Sequence, residues 1–207
     1  MALAGAGKGD RIEMRDKNVL AAANGGFFMK SAGCNTPWGI QIVNGTVNRG
    51  PLDVSTSTVY QRWFGVTKAG VPVTGDASTY ESTYKGKLQY AIGGRYYGIK
   101  DGVYVQAGTL NAYDARTAVG HNANGDIVMM VIPGDDADAT EAGATVVDVA
   151  QVFMDLDIDV NYMLNLDGGG STNLIVENTG GSPVLTTPLY SGTSQRAIAD
   201  IMAIVAD

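Results

Sequence analysis

Asn161-Tyr-Met-Leu-Asn-Leu-Asp-Gly-Gly-Gly-Ser171-Thr-Asn-Leu-Ile-Val176 reads as strand, glycine turn, strand. Residues 162–166 are apolar and extended in character, and residues 174–176 resume the strand after the break. Between them Gly168, Gly169 and Gly170 are flanked by one carboxylate, Asp167, and one hydroxyl, Ser171. Glycine permits positive φ and a close approach to the main chain. Successive N–H groups in such a turn can form a concave nest for an anion. A loose hairpin turn with incidental polar flanks is the plainer reading of the same residues.

The surrounding chain is punctuated in the same way. With 28 glycines and only 17% charged residues, it favours strands and turns over long surface helices. The apolar run 19–24 stops at Gly25-Gly26, and the strand at 38–43 precedes the hairpin signal Asn44-Gly45. Strands at 64–67 and 71–74 flank Lys68-Ala69-Gly70. Strands at 88–92 and 96–99 flank Gly93-Gly94-Arg95, and Asp101-Gly102 turns the chain into 103–106. Strands at 116–120 and 127–132 join through Asn124-Gly125, so the middle of the chain is predicted as a meander of antiparallel hairpins.

Residues 134–143 are acidic but lack the alternating ligands of a calcium loop, and read as a solvated loop. The one helix is expected over 145–156. Thr145 and Asp148 have capping-box spacing, and Val149, Val152, Phe153 and Leu156 form one apolar stripe. This helix would permit a parallel crossover from the strand at 127–132 to the strand at 161–166. Residues 197–205 are apolar on both faces apart from Asp200 and read as a central strand. Residues 1–16 read as a poorly anchored arm, leaving 17–207 as one domain. The predicted fold class is α+β: a twisted mixed, largely antiparallel sheet with one main packed helix (145–156) and many hairpins.

Composition narrows the partners. A formal net charge of −7 argues against nucleic acid and anionic membrane surfaces, so an anionic ligand must be held by local arginines. One cysteine, Cys34, leaves neither an intrachain disulfide nor a thiolate metal cluster. No His/Asp cluster stands at metal-ligand spacing, so no metal and no cofactor is expected. No window approaches the ~20 apolar residues of a membrane helix. Residues 1–8 lack a signal-peptide core. The chain is expected to be soluble, with a secreted or virion-borne destination left open.

Four stretches stand out together. They are Asn24-Gly-Gly-Phe-Phe28, Ala115-Arg-Thr-Ala-Val-Gly-His121, Asn165-Leu-Asp-Gly-Gly-Gly-Ser-Thr172, and Arg196 ahead of an apolar strand. In this order and spacing the chain resembles the phosphodiester glycosidase family from about Val19 to its C-terminus. The resemblance implies a hydrolase that removes a sugar, typically N-acetylglucosamine, from a sugar-1-phosphodiester and leaves a phosphomonoester. A wall or capsule glycopolymer is the expected source of such a linkage, and a phage or bacterial protein the expected context. The resemblance also places Asn24, Thr117, Asn165 and Asp200 among the substrate-binding residues. Asp200 stands where the family pattern leads one to expect asparagine, and Gln195 and Ala197 replace its usual glutamate or proline neighbours.

The chemistry of that reaction suits the residues present. Breaking the sugar C1–O bond develops positive charge at C1 and a second negative charge on the departing phosphate. Arg116 and Arg196 are the phosphate donors, because a guanidinium fork matches phosphate oxygens. Gly168, Gly169, Gly170 and Ser171 could add further donors. Asp167 is the carboxylate for C1, as nucleophile or as electrostatic stabiliser. His121, the only histidine, could protonate a leaving oxygen or orient a water. Strand alternation sets Arg116 and His121 on opposite faces, so they share a pocket only across a bulge or past a strand end. Two rivals keep most of these residues: a non-catalytic phosphoglycan-binding module, and a phosphodiesterase that cleaves P–O.

Overall fold

Strand pairing in the computed structural model is antiparallel throughout the described residues, which are 2–5, 19–31, 34–53, 57–105, 112–134, 142–177, 183–185 and 196–206. The chain enters through β1 (Ala2–Gly5) and β2 (Val19–Asn24), then forms the two-stranded ribbon β3 (Phe28–Ser31) and β4 (Cys34–Pro37). Next come β5 (Gln41–Val43), β6 (Thr46–Arg49), β7 (Arg62–Thr67), β8 (Pro72–Gly75) and β9 (Leu88–Gly94), ordered β6-β5-β9-β7-β8 in one sheet. A second sheet, ordered β11-β10-β14-β12-β13, holds β10 (Tyr96–Lys100), β11 (Val103–Tyr104), β12 (Arg116–Asn122), β13 (Ile127–Ile132) and β14 (Val160–Asn165). The chain ends in β15 (Leu174–Glu177), β16 (Pro183–Leu185) and β17 (Asp200–Val205), which join its start in the order β1-β17-β2-β15-β16.

The α+β expectation holds in coarse form: mostly antiparallel sheets with two short helices. The single twisted sheet does not hold, because three five-stranded sheets replace it. Gly93-Gly94-Arg95 is not a hairpin turn. β9 pairs with β5 and β7 while β10 pairs with β11 and β14, so the chain changes sheets there. Residues 161–176 are likewise not a hairpin, since β14 and β15 lie in different sheets. β13 and β14 do run in the same direction, with antiparallel β12 between them, so the helical connection is a crossover that skips one strand. β17 lies between β1 and β2. Most of the arm expected over 1–16, and the acidic loop over 135–141, lie outside the described residues. Ala2–Gly5 of that arm pairs with β17.

Alternation explains why β12 and β14 read as continuously apolar. Val119 and Leu164 point into a core shared with Phe64, Ile92, Tyr97 and Met202, which comes from all three large sheets. Their neighbours Ala118 and Met163 face the other way, against the helix α2 (Val146–Asp155). A short helix, α1 (Ala77–Thr79), continues into a π-turn at Tyr80–Tyr84 beside the outer core of Trp63 and Leu88. Among the described residues no helix is long and apolar enough to cross a membrane.

α2 carries the capping box read from sequence: the Asp148 N–H donates to Thr145 Oγ1, and the Thr145 N–H donates to the Asp148 carboxylate. Val146, Val149, Ala150 and Phe153 are its buried face, while Val152 is 41% exposed, so the expected stripe is rotated toward Ala150. Phe153 is wholly buried against β12, and a Cβ at Gly120 would sit 2.7 Å from its ring. Phe153→Ala is expected to lower the unfolding free energy by about 3–5 kcal/mol in urea titration. A loss under ~1 kcal/mol would mean that the site collapses around the void.

Candidate active site

The site is assembled where three strand ends meet: β2 at Asn24, β12 near Thr117, and β14 at Asn165. Leu166 N–H donates to Thr117 O at 2.9 Å, and Asp167 N–H donates to Gly25 O at 3.2 Å. Asn24 completes the join. Its amide donates to Asp167 O at 2.8 Å, while its Oδ1 accepts from Thr117 Oγ1 at 2.6 Å and from Asn173 N–H at 3.1 Å. Asn165 donates from Nδ2 to Thr117 O at 3.4 Å. Asn24, Thr117 and Asn165 are each at most 2% exposed. Their side chains therefore hold the main chain from beneath, and Asp167 is presented by a rigid support.

The triplet after Asp167 is a 3-10 turn, Gly169–Ser171. Gly168 lies so close to β12 that a Cβ would be 2.5 Å from Ala115 O, and Gly169 has φ +54°. The donors expected to line a nest are used internally. Gly168 N–H donates to Asp167 Oδ1 at 3.0 Å, and Gly169 N–H donates to Ala115 O at 2.9 Å. Ser171 and Thr172 N–H groups close the turn onto Gly168 O and Gly169 O.

Side chains supply what the backbone does not. Arg196 Nη1 donates to Ser171 Oγ at 3.3 Å, and the Ser171 hydroxyl and the Arg196 charge both favour the ionised Asp167 carboxylate. A guanidinium and a carboxylate thus meet at one buried hydroxyl. Arg196 is exposed and its fork lies over Gly170, where a Cβ would come within 2.7 Å of Nη2. Burial raises the pKa of Asp167 above the ordinary carboxylate value, opposed by the Ser171 hydroxyl, the Gly168 N–H and the Arg196 charge.

Asp200 stands behind this group. It is 3% exposed, accepts from Gly26 N–H at 2.9 Å and from Gln41 Nε2 at 3.3 Å, and packs on Gly25. Burial pushes its carboxyl up to about 7, and the nearby negative charge of Asp167 adds to the shift. Its burial places it with Asn24 and Thr117 as a support, not at the surface a substrate meets.

Arg116 flanks the triplet on the other side. Its Cδ would be 3.9 Å from a Cβ at Gly168, while its guanidinium turns toward the carbonyls of Ala144, at 2.9 Å from Nε, and Ala112, at 2.5 Å from Nη2. Burial lowers its pKa, opposed by the charge of Asp114. The Asp114 carboxylate is also close, 3.2 Å from a Cβ position at Gly169. Gln41 and Arg95 carry no motif, and sequence reasoning missed both; only a flanking Gly93-Gly94 and Tyr96-Tyr97 mark Arg95.

His121 is not brought to this group. The β12–β14 register runs unbroken from Ala118, opposite Asn165, to His121, opposite Tyr162, and shifts only beyond His121, at the far end of the strand. Its Nε2 meets Thr74 Oγ1 at 3.0 Å, and its ring stacks on Tyr162 at 5.3 Å. Burial lowers its pKa, so the neutral imidazole is favoured.

Sequence comparison decides the family. The phosphodiester glycosidase family model matches residues 17–205. The chain belongs to the phosphodiester glycosidase family. The chain is 26% identical over 183 residues to N-acetylglucosamine-1-phosphodiester alpha-N-acetylglucosaminidase of Bos taurus. It is 27% identical over 176 residues to the same protein of Mus musculus. Those matches cover 80% and 76% of the chain, which spans about a third of each relative's length, 32% in both. The fold is that of the zebrafish N-acetylglucosamine-1-phosphodiester alpha-N-acetylglucosaminidase catalytic domain auto-inhibited by pro-peptide. The TM-score is 0.72 at 23% identity, over 95% of this chain and 66% of that one. It is also similar to a putative exported protein of Burkholderia pseudomallei K96243, with TM-score 0.58 at 15% identity, over 99% and 71% of the two chains.

Proposed function

We propose that this phosphodiester glycosidase hydrolyses a sugar-1-phosphodiester at the sugar C1–O bond, with Asp167 at C1 and Arg196 on the phosphate. The observation that carries it is the meeting of Arg196 and Asp167 at Ser171, beside the glycine triplet. It sets a cation and a carboxylate side by side, the arrangement that opposite charges developing on phosphate and sugar require. When the bond breaks, its electron pair leaves on the phosphate, where Arg196 offers donors. The positive charge left at C1 faces Asp167 until the oxygen of water bonds there and gives up one proton to solvent. A phosphate leaves without an added proton, so the reaction does not need His121.

Asn24, Thr117 and Asn165 set the position of Asp167, and Asp200 fixes the Gly25-Gly26 turn beneath it. The named relatives motivate N-acetylglucosamine as the sugar, and the candidate source is a wall or capsule glycopolymer. Hydrolysis in 18O-labelled water tests the bond: label is expected in the released sugar. Label in the phosphate would mean P–O cleavage, and binding without any sugar release would mean a phosphoglycan-binding module.

A further inference from the structure

Arg95 occupies the corner where the chain leaves β9 for β10. Its N–H donates to Asn165 O at 2.9 Å, two residues before Asp167, and its own carbonyl accepts from Arg62 Nη1 at 2.9 Å. Both main-chain groups being tied, the residue is fixed beside the site strand. Gly94 makes this possible, since a Cβ there would lie 2.5 Å from Leu164 and 2.9 Å from Asn165 O.

The side chain rests on aromatic faces. Its Cζ lies 4.8 Å from the Tyr96 ring centroid, 5.1 Å from Tyr60 and 5.7 Å from Phe27. Tyr60 is braced in turn by Trp38 at 4.7 Å. Ring faces stabilise a guanidinium and hold it flat, but they leave its N–H edge without acceptors. Nε of Arg95 is buried and has no hydrogen-bond partner. Among the described residues no carboxylate lies within ion-pairing distance of its guanidinium. Arg95 precedes β10 and Arg116 opens β12, the two strands that flank β14 at Asn165, and the charge of Arg95 also bears on Arg116. A buried donor without a partner is destabilising, and a second positive charge nearby adds to that. In a chain of net charge −7, an oxyanion between the two would relieve both.

We propose that Arg95, on its aromatic cradle, and Arg116 form a second anion subsite that takes a further phosphate on the aglycone side of the substrate. The role rests on the hydrolase reading above and deepens it. The preferred substrate class is a sugar-1-phosphodiester whose aglycone carries another phosphate, as repeating sugar-phosphate units do.

Two probes test this: the N-acetylglucosamine-1-phosphodiester of a plain alcohol, and the same compound with a phosphomonoester on the alcohol. Wild type is expected to prefer the second in kcat/KM, and the preference to weaken as salt is raised. Arg95→Met, which keeps length and apolar contact, is expected to cut the ratio of the two kcat/KM values by about 10-fold or more, mainly through KM. Arg95→Lys keeps charge on the same rings and is expected to recover part of the ratio, which a packing role would not do. An unchanged ratio in Arg95→Met, or wild type without the preference, overturns the subsite. If wild type cleaves neither probe, the hydrolase reading fails, and calorimetric binding of inorganic phosphate then decides the subsite alone. There Arg95→Met is expected to bind about 10-fold more weakly, and equal binding overturns it.

Discussion

Asp167→Asn is expected to lower kcat for a sugar-1-phosphodiester by on the order of 10³-fold or more, with KM changed by less than ~3-fold. Asparagine has the size of aspartate and can still accept the Gly168 N–H. The main chain at 167 is held by Asn24 and Gly25, not by its own carboxylate, so the variant is expected to fold normally. What is removed is the negative charge that the proposed mechanism sets opposite C1. That charge matters most in the transition state, so the loss falls on kcat. Single-turnover sugar release with parallel calorimetry checks both quantities. A variant within ~10-fold of wild type in kcat would mean that another group serves C1.

Asp200→Asn is expected to change the pH dependence of stability. In the folded protein burial holds the Asp200 carboxyl at about 7 instead of 3.8. Between these values the folded state keeps a proton that the unfolded chain gives up. Stability from this group is therefore full below about pH 4 and declines as pH rises to about 7, by roughly 4 kcal/mol. Asp167, the titratable group facing it, is also raised and adds to the same slope. Asparagine carries no charge, accepts the Gly26 N–H as the acid does, and needs the Gln41 amide and its part-buried partner Asn48 to turn together. Urea unfolding at intervals from pH 4 to 8 is expected to show a flatter profile and a more stable variant at pH 8. The same slope in both proteins would mean that Asp200 titrates normally, with the decline arising elsewhere.

Asp200 also shows where sequence reading stopped. Its place four residues after Arg196 is visible along the chain, but its neighbours Gly26 and Gln41 come from the other end of it. In the structure Asp200 supports the Gly25-Gly26 turn below Asp167, while Arg196 meets Ser171 beside Asp167. His121 belongs to the same lesson. Alternation along β12 separated it from Arg116, yet its partners Thr74 and Phe64 depend on how two sheets pack. Arg95 stayed unnoticed because its significance lies in three rings and a second arginine, none of them in a shared motif.

Local physics was readable from the residues. Asn44-Gly45, Lys68-Ala69-Gly70, Asp101-Gly102 and Asn124-Gly125 turn adjacent strands, because a tight turn is a property of a few consecutive residues. The Thr145–Asp148 cap belongs to this class, as does the family, which four short motifs carry. Choice of distant partner is decided by the pairing and burial of the whole chain, which no short window contains. Folding therefore determined that Gly93-Gly94-Arg95 joins two sheets instead of closing one hairpin. It also decided that Gly168 and Gly169 turn their N–H groups inward, and that Arg196 meets a buried serine beside Asp167.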